Sequence, residues 1–270
     1  MQRVKPTGCT VHPTLRIMVG IVTIAVILMV LSVEETPAQQ LPSSIYNGLT
    51  DLGGYVKKLS RIETGPFPTL LQVQCPNLVR VGSVVDGGKY VCNPQAIDTQ
   101  KCRIYSLGLM NEISFDVEIQ NITGNTCKIY GYDQHEQSKG IKDAYSRMNG
   151  KLKAVFISNE KGKRIQDFFD ENGDNFADIL KIDIEGAEHN VLIPFLSDEK
   201  YKVCQVLIEI HGQGNSQLHL LVSIAKQGYA LFSYEVNGWT MAACEYSFIH
   251  MSCLKQYGAV ELKRYLPPVK

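Results

Sequence analysis

The chain has 270 residues and a mass of 30.1 kDa, with 27 basic and 27 acidic side chains and a composition that is 44% hydrophobic and 9% aromatic. These proportions exclude a disordered tail, a collagen-like repeat and a small disulfide-stapled mini-protein, and the even charge balance argues against a dedicated nucleic-acid binder. The balance hides an asymmetry: residues 1–33 carry Arg3, Lys5 and Arg16 and no acid, so the remainder holds 24 basic against 27 acidic residues, a net of −3.

Residues 1–16 read as a short tail, followed at 17–33 by 17 residues without a charge (IMVGIVTIAVILMVLSV). At 1.5 Å per helical residue this run is at the short end of what spans a bilayer, and it has no polar face. It reads as an uncleaved signal anchor. A cleaved signal peptide is the alternative, weakened by Glu34, Glu35 and Pro37 around the one plausible cut. Basic residues before the run and Glu34 and Glu35 after it place the N-terminus in the cytosol and the bulk of the chain in the lumen or outside. The expected location is a single-pass type II membrane protein of the secretory pathway, Golgi most of all, or a secreted protein if the segment is removed.

Cysteine usage agrees with that topology. Cys9 precedes the span, and Cys75, Cys92, Cys102, Cys127, Cys204, Cys244 and Cys253 follow it without any CxxC spacing. An oxidising compartment then predicts up to three disulfides and one leftover thiol rather than a zinc site. Asn121-Ile122-Thr123 is a glycosylation acceptor sequence.

Residues 34–68 have little periodicity and read as a stem. From 69 to 270 short apolar runs alternate with amphipathic stretches, as in one α/β domain. Strands are predicted at 103–107 (RIYSL), 128–132 (KIYGY), 154–158 (AVFIS), 178–183 (DILKID), 203–210 (VCQVLIEI), 229–236 and 246–253. Helices are predicted at 139–150, 164–172, 187–196 and 215–227, the third kinked or stopped by Pro194. The alternation implies a mostly parallel sheet covered on both faces. The last two strands, joined by a loop that opens with Asn237-Gly238, form an antiparallel hairpin.

In an open parallel sheet, ligands bind beyond the carboxyl ends of the strands, so the residues that follow each strand are the candidates. Gly108-Leu109-Met110-Asn111-Glu112 follows the first strand, and a glycine there lets a ligand approach the backbone. Asp133 closes the second strand 25 residues after Gly108, suited to accept from ribose hydroxyls or to cap a helix. Residues 180–188 (LKIDIEGAE) gather a lysine and three acids at the end of the fourth strand. Strand alternation puts Lys181, Asp183 and Glu185 on one face if the chain stays extended, while Glu188 is assigned a local pairing role. Glu209 and His211 end the fifth strand, and His211 is able to act as a base. No histidine pair has metal-binding spacing, and no metal is expected.

Val81-Gly82, the DGGKYVC run at 86–92, Tyr105-Ser106-Leu107-Gly108, the run from Asn111 to Asp116, Tyr132-Asp133, LKIDIEGAEHNVL and IEIHG together resemble the FkbM-type S-adenosylmethionine methyltransferases. The likeness is greatest to the membrane-anchored or secreted methyltransferase-like proteins of animals, and it spans roughly residues 68–255. The resemblance implies a Rossmann-like class I methyltransferase fold with a seven-stranded sheet and S-adenosylmethionine as cofactor. It implies cofactor contacts from Gly108, Leu109, Asn111, Glu112 and Asp133, and catalytic roles for Asp183, Glu185 and His211. A Cys92–Cys102 disulfide is also implied. Leu109-Met110 depart from the further glycines of the general pattern.

A methyltransferase in the secretory pathway would act on a hydroxyl of a glycan or another small or secreted acceptor, with no nucleic-acid partner. Nothing in the sequence speaks to oligomeric state. Two other readings fit parts of the sequence: a type II Golgi glycosyltransferase using Asp183 and Glu185 with a metal, and a non-catalytic methyltransferase-like interaction module.

Overall fold

The computed structural model describes residues 71–84, 86–212, 214–236 and 242–262. The expected tail, membrane span and stem lie outside the described residues, as does the Asn237-Gly238 turn. Among the described residues no helix is long and apolar enough to cross a membrane.

In chain order the elements are β1 (Val73–Gln74), β2 (Leu78–Val81), β3 (Lys89–Cys92), β4 (Arg103–Leu107), α1 (Ser114–Ile122), β5 (Lys128–Asp133), α2 (Lys139–Arg147), β6 (Gly150–Ala154), α3 (Ile165–Asn172), β7 (Phe176–Ile182), α4 (Glu188–Leu196), β8 (Lys202–His211), α5 (Asn215–Lys226), β9 (Tyr229–Val236), β10 (Ala243–His250), α6 (Leu254–Tyr257) and β11 (Val260–Glu261). The main sheet has seven strands in the order β6-β5-β4-β7-β8-β10-β9. The five strands from β6 to β8 run parallel, and β10 inserts antiparallel between β8 and β9. The α/β architecture, the seven-stranded sheet and the terminal antiparallel hairpin are those expected from the sequence.

The central strands form because both of their faces are apolar, as parallel sheets require. One face carries Tyr105, Leu107, Tyr132, Leu180, Ile182, Ile208 and Ile210 against Phe168, Phe169, Leu192, Phe195 and Ile224 from α3, α4 and α5. Tyr105 and Phe169 stack there with ring centroids 4.0 Å apart. The other face sets Ile104, Ile129, Ile179 and Leu207 against Phe115, Ile119 and Tyr145 of α1 and α2 and against Val81 and Val91 of β2 and β3. Each such side chain, fully buried, contributes roughly 1.5–3 kcal/mol.

The β2–β3 hairpin lies over β8 and β10. Gln205 of β8 accepts from the Cys92 amide at 2.8 Å and donates to its carbonyl at 2.9 Å, and Ser247 of β10 donates to the Tyr90 carbonyl at 2.9 Å. This docking carries Lys89, at the start of β3, to the functional edge of the sheet.

Three disulfides form, Cys75–Cys92, Cys102–Cys127 and Cys204–Cys253, with Cys244 outside them. That is the expected number, but the implied Cys92–Cys102 pair does not form. Cys102 and Cys127 each precede a strand, and those strands are parallel neighbours (Arg103 opposite Lys128), which brings the two Cα atoms to 4.7 Å. Cys92 ends β3 on the hairpin, where Cys75 reaches it with a Cα separation of 5.5 Å. Asn121 is exposed in the last turn of α1, while the Thr123 hydroxyl of the same acceptor sequence is buried and donates to the Ile119 carbonyl at 2.9 Å.

Candidate functional site

The sheet order reverses direction between β4 and β7: the chain moves outward from β4 to β5 and β6, then returns to β7 and continues to β8. Ligand crevices open at such a switch, beyond the carboxyl ends of the two strands. Gly108 follows β4 and Asp183 follows β7, and the two are in contact. Gly108 has φ +78°, and a Cβ there would lie 1.5 Å from the Asp183 carbonyl oxygen, so only glycine fits. The Gly108 amide donates to the Tyr132 carbonyl at 2.8 Å, and its own carbonyl accepts from Lys181 Nζ at 3.3 Å.

The loop from Gly108 to Glu112 turns through two left-handed residues, Met110 (φ 43°) and Asn111 (φ 62°). It is organised from the neighbouring strand end. Asp133, 4% exposed, accepts on Oδ2 from the amides of Leu109 (2.7 Å) and Met110 (2.8 Å), and on Oδ1 from the amide of His135 (2.7 Å). A carboxylate offers about four acceptor positions, so this conformation leaves room for about one further hydrogen bond. Asn111 links the loop to the next turn, its amide donating to Gln137 Oε1 and its Oδ1 accepting from the Ser138 amide. Glu112 accepts from the Ser114 amide through Oε1, and its buried Oε2 faces Gly87 of the β2–β3 connection, where a Cβ would come to 1.9 Å. A cleft of about 300 Å³ opens beside this loop between α2 and β6, lined by Glu136, Gln137, Tyr145, Leu152, Lys153 and Ala154.

On the β7–β8 side the acids converge on one buried ammonium. Lys89 Nζ lies 2.5 Å from Glu245 Oε1, 3.8 Å from Asp183 Oδ2 and 4.0 Å from Glu209 Oε2, and its side chain is fully buried. Glu209 and Glu245 face each other across the β8–β10 pairing. Burial works against the Lys89 ammonium, but Glu245, Asp183 and Glu209 outweigh it and raise the pKa. Burial pushes Glu209 up to about 8, the charges of Asp183 and Glu245 adding to it and Lys89 opposing. Glu245 is likewise raised by burial against the pull of Lys89.

His211 ends β8. Its Nδ1 lies 3.1 Å from Glu188 Oε1 and its Nε2 3.5 Å from Glu185 Oε2. The hydrogen bond to Glu188 outweighs partial burial and pushes the imidazole up to about 9, so it is a cation at neutral pH. Glu188 is fully buried and also accepts from the Ile184 amide at 2.9 Å. It fills the expected local role and holds His211 as well. Glu185 departs from the expected shared face. The strand ends at Ile182, Glu185 takes φ 57°, and its side chain is 61% exposed, so alternation stops before reaching it.

The structure thus brings Asp183, Glu209, Glu245 and Lys89 together, sets His211 with Glu185 and Glu188 beside them, and places Gly108–Glu112 with Asp133 on the adjoining strand ends. Lys89 and Glu245 were not singled out from the sequence. Lys89 was visible only as a charged residue inside the DGGKYVC run, and Glu245 as an acid in the last hairpin. Asp183, Glu209 and His211 each bring one ligand-type atom within 4.8 Å of the others, the spacing of a cation site. The Lys89 ammonium already supplies positive charge to two of the three.

A family model described as a methyltransferase domain matches residues 70–250. The human protein named probable methyltransferase-like protein 24 is 28% identical over 127 residues, which cover 43% of this chain and 34% of that protein. Its rat counterpart is 27% identical over the same length. The chain therefore spans about a third of the length of these curated relatives. Among solved structures, a Methanococcus jannaschii fibrillarin pre-rRNA processing protein aligns with a TM-score of 0.41 and 12% identity over 56% of this chain and 67% of that one. An rRNA methylase from Escherichia coli aligns with a TM-score of 0.27 and 9% identity over 55% of this chain and 57% of that one. With the family model matched over about two thirds of its length, the chain belongs to the methyltransferase-domain family, whose enzymes typically use S-adenosylmethionine.

Proposed function

We propose that this chain is an FkbM-type enzyme that methylates a hydroxyl of a glycan or a secreted molecule. The observation that carries the reading is the joining of the Gly108 loop to an acid cluster at the switch point of the sheet. When bound, S-adenosylmethionine supplies a methyl carbon on a positively charged sulfur. The donor set suits it: a glycine-hinged loop and Asp133 with remaining acceptor capacity. Gly108, Leu109, Asn111, Glu112 and Asp133 would hold it.

Transfer to a hydroxyl forms a C–O bond, breaks a C–S bond and releases the hydroxyl proton, which a nearby base accepts. Asp183 is assigned that role. It is partly exposed, its amide is anchored to the Leu107 carbonyl at 2.9 Å, and Lys89 holds its carboxylate in place. Glu209, raised to about 8 and so mostly protonated at neutral pH, hydrogen-bonds Asp183, and the proton that Asp183 takes leaves to solvent from its exposed side. His211, charged at neutral pH, is assigned to fixing Glu185 and Glu188 rather than to the base role.

Replacing Asp183 by Asn is expected to lower turnover by about 10²–10⁴-fold while cofactor affinity persists; unchanged turnover would remove Asp183 from the chemistry. Secretory-pathway residence, with residues 17–33 as the anchor, is supported by three disulfides that reducing cytosol disfavours. Membership of a methyltransferase family sets aside the glycosyltransferase alternative. A non-catalytic interaction module is the second reading, favoured by the engagement of Asp133 with its own loop.

A further inference from the structure

Behind the Gly108 loop lies a cluster of buried polar side chains that the proposed chemistry does not use. Lys181 of β7 is 2% exposed, and Ser106, directly opposite it on β4, and Asp116 of α1 are fully buried. Tyr145 of α2 is 1% exposed, and its hydroxyl is seated against Gly131 of β5, where a Cβ would come to 2.6 Å. The Ser106 and Tyr145 hydroxyls lie next to the Asp116 carboxyl group. Burial raises the Asp116 pKa, and the charge of Lys181 is the largest influence opposing it.

The position of the Lys181 contact gives the lysine a task. Its Nζ donates to the Gly108 carbonyl, the oxygen of the same peptide whose N–H, that of Leu109, donates to Asp133. One peptide plane is therefore held at both ends, by a buried cation on its oxygen and a buried carboxylate on its nitrogen. Asp116 lies in the first turn of α1, where the loop ends. We infer that Lys181 is a positioning residue that fixes the Gly108–Leu109 peptide and so the shape of the loop that receives the cofactor. The inference builds on the proposed cofactor site, but the geometry it claims exists in the cofactor-free protein.

The test uses the full chain and the substitutions Lys181→Met and Lys181→Arg. Amide hydrogen exchange in cofactor-free protein is read at Leu109 and Met110, with Tyr130 on β5 as an internal control. The expected result for Lys181→Met is exchange about tenfold faster at the two loop amides and unchanged at Tyr130. Lys181→Arg, which keeps a cation, should hold the two loop amides closer to wild-type exchange than Lys181→Met does. S-adenosylhomocysteine affinity by calorimetry falls about tenfold in Lys181→Met, and the cofactor KM rises by a similar factor with kcat at saturation nearly unchanged. Loop amides that exchange as in the wild type, or exchange that quickens equally at Tyr130, would overturn the inference. Should the wild-type chain bind no S-adenosylhomocysteine, the proposed cofactor site fails, and the exchange data still decide the role of Lys181.

Discussion

Lys89→Met tests the electrostatic logic of the site. Methionine preserves most of the buried stem and removes only the ammonium, leaving Asp183, Glu209 and Glu245 facing one another without a cation. The Lys89 side chain is fully buried, and its partners are 18%, 5% and 13% exposed, so solvent screens the change little. Removing one partner from a buried charge cluster costs about 3–5 kcal/mol. The cost depends on pH in a defined direction. Glu209 and Glu245 have folded pKa values above the ordinary carboxylate value, so the stability their protonation brings is present at low pH and is lost as pH rises through the folded values, about 8 for Glu209. Lys89 holds both down, so its loss moves those values further up. Urea unfolding should show the variant destabilised by about 3–5 kcal/mol at pH 9 and by less than about 2 kcal/mol at pH 5. Adding Glu245→Gln should recover part of the loss at pH 9. An equal loss at both pH values, or one below about 1 kcal/mol at pH 9, would refute the charge-cluster account.

Gly108→Ala should destabilise the protein by more than about 2 kcal/mol, because the new methyl group meets the Asp183 carbonyl and the backbone is left-handed; a melting temperature within 2 degrees or so of wild type would contradict this. Peptide mapping without reduction should recover Cys75–Cys92, Cys102–Cys127 and Cys204–Cys253 and no Cys92–Cys102 peptide. Opening the Cys102–Cys127 link, which closes a separation of 25 residues, should cost about 3–4 kcal/mol. In an NMR titration His211 should lose its proton near pH 9, and Glu188→Gln should bring the midpoint down. The stability that His211 brings is full below its ordinary pKa and is lost as pH rises through about 9.

The parallel core was legible because its strands are nearly continuous apolar runs: the expected 103–107 and 229–236 coincide with β4 and β9, and 203–210 differs from β8 by one residue at each end. The third expected strand, AVFIS at 154–158, was misplaced onto the segment after β6. Gly150–Ala154 is an edge strand in which Lys151 and Lys153 point to solvent, so it lacks the apolar signal, whereas Phe156, inside the expected strand, is 54% exposed. The first of the remaining strands, β7, begins two residues early and ends at Ile182, which is why alternation carried over to Asp183 but not to Glu185. Pro194 neither stops nor shortens α4, since it falls in the last turn and the helix runs on to Leu196. Of the elements not anticipated, α1 and the β2–β3 hairpin matter to the site. Strand β2 reads LVRV with only Val81 buried, and β3 reads KYVC, where Lys89 is hidden by partners from β7, β8 and β10 that no local pattern reveals. The candidate residues at strand ends were found by a rule about sheets. The cation that organises them comes from outside the sheet.

The most direct test of the proposed function is a calorimetric titration of the full chain, disulfides intact, with S-adenosylmethionine in the presence of a metal chelator. The account predicts saturable binding at one site per chain, competed by S-adenosylhomocysteine and weakened by substitutions in the Gly108–Glu112 loop. A folded chain with its three disulfides formed that releases no binding heat and gives no competition would contradict it, and would leave this methyltransferase-family domain as an interaction module.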